Sequence, residues 1–191
     1  LVLLYSNNSF SQIKGKIISD KEVSDLSSFV VWIKDGKNLK KIKNKRKLRS
    51  MNQKNKTFYP KILAVHKKDK VSFKNLDPIF HNVFSLDPKN KFDLGTFKGS
   101  EKFSDDFKKK IKGKRKYHHR FKHPGKVSVF CNIHPDMYGI VYVFNHYYFT
   151  NSNFLGEFEL PKLPKGKYTL VIDSPLLKKQ HKKRFKVGKS G

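Results

Sequence analysis

The chain has 191 residues, a single cysteine, and 43 Lys+Arg against 15 Asp+Glu, for a formal net charge of +28. Hydrophobic residues make up 37% and aromatic residues 14%, enough for a packed core, which excludes a wholly disordered basic tail. One cysteine excludes an internal disulfide and a tetrathiolate zinc site, and no run of about 18 apolar residues is present to span a membrane.

Of the basic residues, 38 are Lys and 5 are Arg. Readers of specific nucleic-acid sequences lean on Arg for bidentate contacts, so no specific nucleic-acid partner is expected. The charge is either a compositional bias or a means of attracting an acidic partner.

In chain order, Leu1–Leu4 is apolar and is followed by a polar stretch with small residues at Ser9 and Ser11. Residues 1–11 read as the remnant of a secretory signal peptide ending before Gln12; a first β-strand is the alternative. A periplasmic or secreted location follows from the first reading. Beyond it the apolar runs are short, rich in β-branched and aromatic residues, and bounded by Gly, Pro, Asn, Asp or Lys, which predicts strands. They fall at Gln12–Ile18, Phe29–Ile33, Lys61–Val65, Lys70–Asn75, Asn82–Ser85, Lys126–Cys131, Gly139–Phe144, Phe158–Leu160, Lys167–Ile172 and Arg184–Val187. Val71–Lys74 and Val127–Cys131 alternate most clearly with period two. No segment carries a sustained helical period. The expected fold is all-β, a β-sandwich. Two basic segments, 37–50 and 100–122, interrupt the pattern and read as solvated loops inserted in the domain.

The segment Phe130–Met137 (FCNIHPDM) brings Cys131, His134 and Met137 together at C-x2-H-x2-M spacing, directly after a strand. His81 lies 50 residues upstream, in FHNVFS. A thiolate, two imidazoles and a thioether make up the donor set of a blue-copper site. The soft thiolate binds both copper oxidation states, the imidazoles suit either, and a long axial thioether tunes the potential. Singly, each residue has a plainer reading: a buried Cys packs as a small hydrophobe, a His sits in core or surface, and a Met fills space. Their combination in a chain with one Cys and two Met favours the metal.

These residues resemble a known family. CNIHPDM followed by YGIVYV looks like the copper-binding loop of cupredoxins of the amicyanin/plastocyanin-like kind, with the short ligand loop of amicyanin-type members. The resemblance extends to FYPKILAV (Phe58–Val65), to Val71–Asp77 followed by His81–Ser85, to Phe92–Gly95 and to Pro124–Val127. It covers roughly residues 12–144. It implies a Greek-key sandwich and one type 1 copper held by His81, Cys131, His134 and Met137. It further implies that Asn82 braces the ligand loop, that Pro135 stiffens it, and that electrons pass at the partly exposed edge of His134 with Pro135, Tyr138 and Phe84 around it. The basic segments at 37–50 and 100–122 depart from a minimal cupredoxin.

His118, His119 and His123 cluster at the end of the second basic segment, as a solvated loop or a labile second metal site. Residues 145–191 resemble a short carboxypeptidase-regulatory or transthyretin-like β-module, expected to be a small β extension that packs on the cupredoxin sheets or completes a sheet with strands such as Gln12–Ile18. The expected organisation is therefore a remnant at 1–11, a cupredoxin-like domain at 12–144 and the extension at 145–191. The expected function is single-electron transfer outside the cytoplasm by a monomer with one copper and no catalysis, exchanging electrons with a redox partner protein of acidic character. A copper carrier using the same ligands, and a basic sandwich that binds polyanions, are the alternatives.

Overall fold

The computed structural model describes residues 2–3, 12–18, 25–35, 39, 46–99 and 117–188, and every regular element among them is a strand. The chain divides into two compact units, one of residues 45–145 and one of residues 1–44 with 146–191.

The first part of the chain contributes β1 (Val2–Leu3), β2 (Ile13–Ile17) and β3 (Val30–Asp35). Residues 45–145 form β4 (Leu48–Ser50), β5 (Asn52–Lys54), β6 (Thr57–Tyr59), β7 (Ile62–His66), β8 (Lys70–Ser72), β9 (Phe80–Ser85), β10 (Phe92–Lys98), β11 (His118–His119), β12 (Gly125–Phe130) and β13 (Tyr138–Phe144). The chain ends in β14 (Phe149–Asn151), β15 (Glu157–Leu160), β16 (Gly166–Asp173) and β17 (His181–Val187).

In the 45–145 unit a five-stranded sheet runs β10-β9-β12-β13-β7 and a three-stranded sheet runs β11-β8-β4. The neighbours are mostly non-consecutive, as in a Greek-key sandwich, with β7 parallel to β13 and β4 parallel to β8. Alternation explains which side chains point inward. Val127 and Val129 on β12, Val141 and Val143 on β13, and Val71 on β8 turn into one core with Phe73, Val83, Phe97 and Phe121. β7 is buried at every position, which is why its sequence ILAVH reads as a continuous apolar run rather than an alternating one.

Three expectations are corrected here. β4 lies within the 37–50 segment, and β11 within the 100–122 segment. β11 pairs with β8 (His118↔Ser72, His119↔Val71), and Phe121 is 1% exposed, so residues 117–122 belong to the sandwich. Residues 100–116 lie outside the described residues. β10 was not expected as a strand because its alternation is broken by a register shift between Asp93 and Thr96, where Gly95 takes φ +73° and its N–H donates to Asp93 Oδ1 at 2.8 Å.

The third correction concerns the boundary at 12–144. β2 pairs with β15 (Ile13↔Leu160, Gly15↔Phe158), the second of the two arrangements expected for the C-terminal stretch, and beyond that expectation β3 lies between β14 and β16 in a sheet of order β14-β3-β16-β17. The N-terminal strands thus share a core with the C-terminal ones: Val31, Ile33, Phe158, Leu160, Leu163, Tyr168, Leu170 and Ile172 are buried together. Residues 145–191 are not a small extension but the larger part of a second β unit. A turn closes β14 onto β15 at Gly156, whose φ of +80° suits glycine and whose missing side chain leaves room for the Ile17 carbonyl. Of residues 1–11, only Val2–Leu3 are described, paired with β2; the rest of the expected signal remnant lies outside the described residues.

Candidate metal centre

The site is built where β9, β12 and β13 meet at one end of the five-stranded sheet. His81 is the second residue of β9 and has no exposed surface. Cys131 follows β12 and is 3% exposed. The loop from Cys131 returns to β13 through a tight turn: Met137 N–H donates to the His134 carbonyl at 2.9 Å, and Cys131 N–H donates to the Met137 carbonyl at 3.2 Å. The second bond ties the loop's first and last residues, so the spacing of C-x2-H-x2-M is fixed by backbone geometry. Met137 is 1% exposed and packs in the core beside the loop.

The ligand atoms of His81, Cys131 and His134 lie within 4.8 Å of one another. His81 Nδ1 faces His134 Nδ1 at 3.1 Å, and Cys131 Sγ is 3.7 Å from His134 Nδ1. A trigonal metal with bonds of about 2.0 Å to nitrogen and about 2.3 Å to sulfur places its donors about 3.5–3.7 Å apart. Two sides of the triangle, at 3.1 and 3.7 Å, are near these values and the third is no longer than 4.8 Å, so the three donors could hold a small ion. Two imidazole nitrogens and a thiolate, converging from buried positions at His81 and Cys131 and a half-buried one at His134, suit copper in either oxidation state.

The surroundings fix these side chains. Asn82 Oδ1 accepts the Asn132 N–H at 2.7 Å, which joins β9 to the ligand loop. Gln53 Nε2 donates to the Asn82 carbonyl at 3.0 Å. The Asp77 carboxylate lies 2.8 Å from His81 Nε2. Burial pushes the Asp77 carboxyl up, but hydrogen bonds from the Lys56 N–H, His81 and the Asn55 N–H outweigh it and hold the group below its ordinary value. Desolvation, the charge of His81 and that of Lys56 lower His134, which favours the neutral imidazole needed for ligation. His134 is half-buried, while its neighbours Ile133 and Tyr138 are 43% and 38% exposed. The ring pair Phe84–Phe130, with centroids 5.8 Å apart, joins β9, which carries His81, to the end of β12, which leads into Cys131.

A family model described as copper binding proteins of the plastocyanin/azurin family matches residues 42–144. The chain belongs to that family. The matched region takes in His81, Cys131, His134 and Met137. Three solved structures are similar to part of the chain. A purple cupredoxin from Nitrosopumilus maritimus is 20% identical with a TM-score of 0.37, over 51% of this chain and 98% of that one. A copper-containing nitrite reductase from Thermus scotoductus SA-01 is 22% identical with a TM-score of 0.39, over 50% of this chain and 22% of that one. An oxidized mutant of amicyanin is 16% identical with a TM-score of 0.39, over 60% and 98%. No curated protein sequence matches the chain.

The donor triangle of this cupredoxin lies inside the region that the copper-binding family model matches. His118, His119 and His123 do not gather into a second centre. His119 stacks on Phe92 at 4.0 Å and meets Phe121 edge-on at 4.9 Å, and the His123 carbonyl accepts from Asn90 Nδ2 at 3.1 Å. Sequence reasoning gave no role to Asp77 or Gln53. The position of Asp77 four residues before His81, across Pro78, was the one available signal.

Proposed function

We propose that the protein is an extracytoplasmic single-electron carrier with one type 1 copper, held by His81, Cys131 and His134 with Met137 as the weak axial ligand. The observation that carries this reading is the triangle of two imidazole nitrogens and one sulfur, buried at His81 and Cys131 and half-buried at His134, with donor atoms within 4.8 Å of one another. Bound copper would supply the Cu(II)/Cu(I) couple; the chain's part is to hold one geometry through both states. Cys131 is pinned through its backbone to Met137, and His81 is enclosed in β9. The partly open face of His134 gives electrons a short route to the surface. Members of the plastocyanin/azurin family are mostly electron carriers, so we read the protein as a carrier rather than an enzyme. Cupredoxins commonly work outside the cytoplasm, which supports the location.

Titration of the protein with copper(II), followed by visible absorption and electron paramagnetic resonance, tests the centre. One equivalent should develop an intense thiolate-to-copper band that Cys131→Ser abolishes. A Cys131→Ser protein that keeps the band would overturn the assignment, and a wild-type protein without it would leave a colourless Cu(I) carrier as the better reading. We further propose that the partner is an acidic redox protein, steered by the net charge of +28.

A further inference from the structure

The hairpin of β5 and β6 turns through Asn55 and Lys56, both in the left-handed region at φ 52° and 54°. Two consecutive residues of this kind make the tight turn that matches strand twist, but a lysine there is strained. The amides of this turn are directed at one acceptor. Asn55 N–H donates to Asp77 Oδ1 at 2.7 Å, and Lys56 N–H donates to Asp77 Oδ2 at 2.9 Å. The loop bearing Asp77 is locked in turn. Asp77 N–H donates to Asn75 Oδ1 at 2.9 Å, and Asn75 Nδ2 donates to the carbonyls of Ile79 and Phe97 at 2.7 and 3.0 Å. The carboxylate therefore has a fixed position, is 8% exposed, and has His81 Nε2 as its remaining neighbour at 2.8 Å.

A carboxylate accepting two amide bonds is ionised and can only accept. His81 Nε2 must then donate to it, which turns Nδ1, 3.1 Å from His134 Nδ1, toward the other donors as the nitrogen available to a metal. We propose that Asp77 is a positioning residue for the metal centre, selecting the His81 tautomer that ligates through Nδ1 and strengthening that nitrogen as a donor to the oxidised metal. The hairpin turn, on the outside of the sandwich sequence pattern, is thereby connected to the centre through two amides, one carboxylate and one imidazole. A negative charge behind a ligating imidazole raises its basicity, and the effect is larger for Cu(II) than for Cu(I). This inference rests on the copper reading above.

The test compares wild type with Asp77→Asn and Asp77→Glu. Asparagine of the same size presents an N–H2 group where the carboxylate accepted. It can donate to Nε2, which moves the imidazole proton to Nδ1, the atom that should ligate. Nitrogen-15 NMR of the full chain before copper is added should show His81 protonated at Nε2 in wild type and at Nδ1 to a large extent in Asp77→Asn. Copper(II) affinity should fall at least tenfold, within the 10–100-fold range for such outer partners, with Cu(I) affinity nearly unchanged. A tenfold difference between the two states corresponds to a rise of about 59 mV in reduction potential. Asp77→Glu, which keeps the charge, should recover part of both effects; a hairpin-packing role alone would not separate the charged from the neutral variant. Nδ1 protonation in the wild-type chain overturns the proposal without any variant, so a failure of Asp77→Asn to fold leaves it testable. Equal potentials in wild type and Asp77→Asn overturn it as well. A wild type that gives no charge-transfer band refutes the type 1 reading instead, and the tautomer measurement tells the two failures apart.

Discussion

Acidification should weaken the 45–145 unit through His119, and the size of the effect follows from its surroundings. The ring lies between aromatic neighbours, stacked on Phe92 with an interplanar angle of 15° and edge-on to Phe121 at 82°. Desolvation, and then the charge of Lys122, lower its pKa from 6.5 to about 4. In the unfolded chain the ring returns to its ordinary value near 6.5. Between these values the unfolded state binds a proton that the folded state refuses, so stability is full above about pH 6.5 and falls as pH drops toward 4. A gap of about 2.5 pH units at 1.36 kcal/mol each gives about 3 kcal/mol as an upper bound, because the ring is partly open to solvent. About 2 kcal/mol of it is lost by pH 5. His119→Phe keeps the aromatic contacts and removes the titration. Urea unfolding of wild type and His119→Phe at pH 7.5 and pH 5.0, without copper, measures the difference. The variant should lose about 2 kcal/mol less than wild type on acidification. His66 and His118, both also lowered chiefly by burial, are present in both proteins and cancel. Equal losses, within about 0.5 kcal/mol, would refute the argument that burial among these rings sets the proton affinity of His119.

Two other outcomes are expected. Asn82→Ala removes the acceptor of the Asn132 N–H and should cost about 1–3 kcal/mol while weakening copper binding; unfolding midpoints and a competition titration check both, and an unchanged pair of values would show that Asn82 does not brace the loop. Electron exchange with an acidic partner should slow as ionic strength rises, because charge steering is screened over about 10 Å at 0.1 M salt; stopped-flow rates that stay constant from low to high salt would assign the charge of +28 no role in docking.

The parts of this molecule that could be read from sequence are those whose cause is local. Val127 and Val129 alternate because one face of β12 meets the core, and the pattern needs only five residues to show itself. Cys131, His134 and Met137 are legible for the same reason. Their spacing is a property of one turn, held by two backbone bonds within it, and only His81 had to be found at a distance. The readings that needed correction depend on partners elsewhere in the chain. The pairing of Ile13–Ile17 with Glu157–Leu160 was one of two arrangements expected, but nothing within Val30–Asp35 says that its neighbours are Phe149–Asn151 and Gly166–Asp173, so the second unit appeared as a short extension. His118 and His119 sit in a run of Lys and Arg, and the strand they form is specified by the edge of β8 rather than by their own surroundings. β10 is hidden by the bulge at Gly95, which breaks the very alternation that would reveal it.

Asp77 belongs to a third kind. Its residue type and place were visible, and the loop it lies in resembles the family's. Its chemistry, though, depends on two amides delivered by a hairpin some twenty residues earlier in the chain. An acidic residue in a turn before a ligand is ordinary in sequence, and it becomes a fixed acceptor only when other backbone donors hold it. Metal centres combine both levels. The donors are specified by residue type and spacing, whereas the protonation state and strength of each donor are set by groups whose contact with it is tertiary. A chain can therefore present a complete set of donor residues while the strength of those donors rests on groups outside the set, which is the role proposed for Asp77 at His81 Nε2 and expected of Asn82, whose Oδ1 holds the Asn132 N–H of the loop before His134.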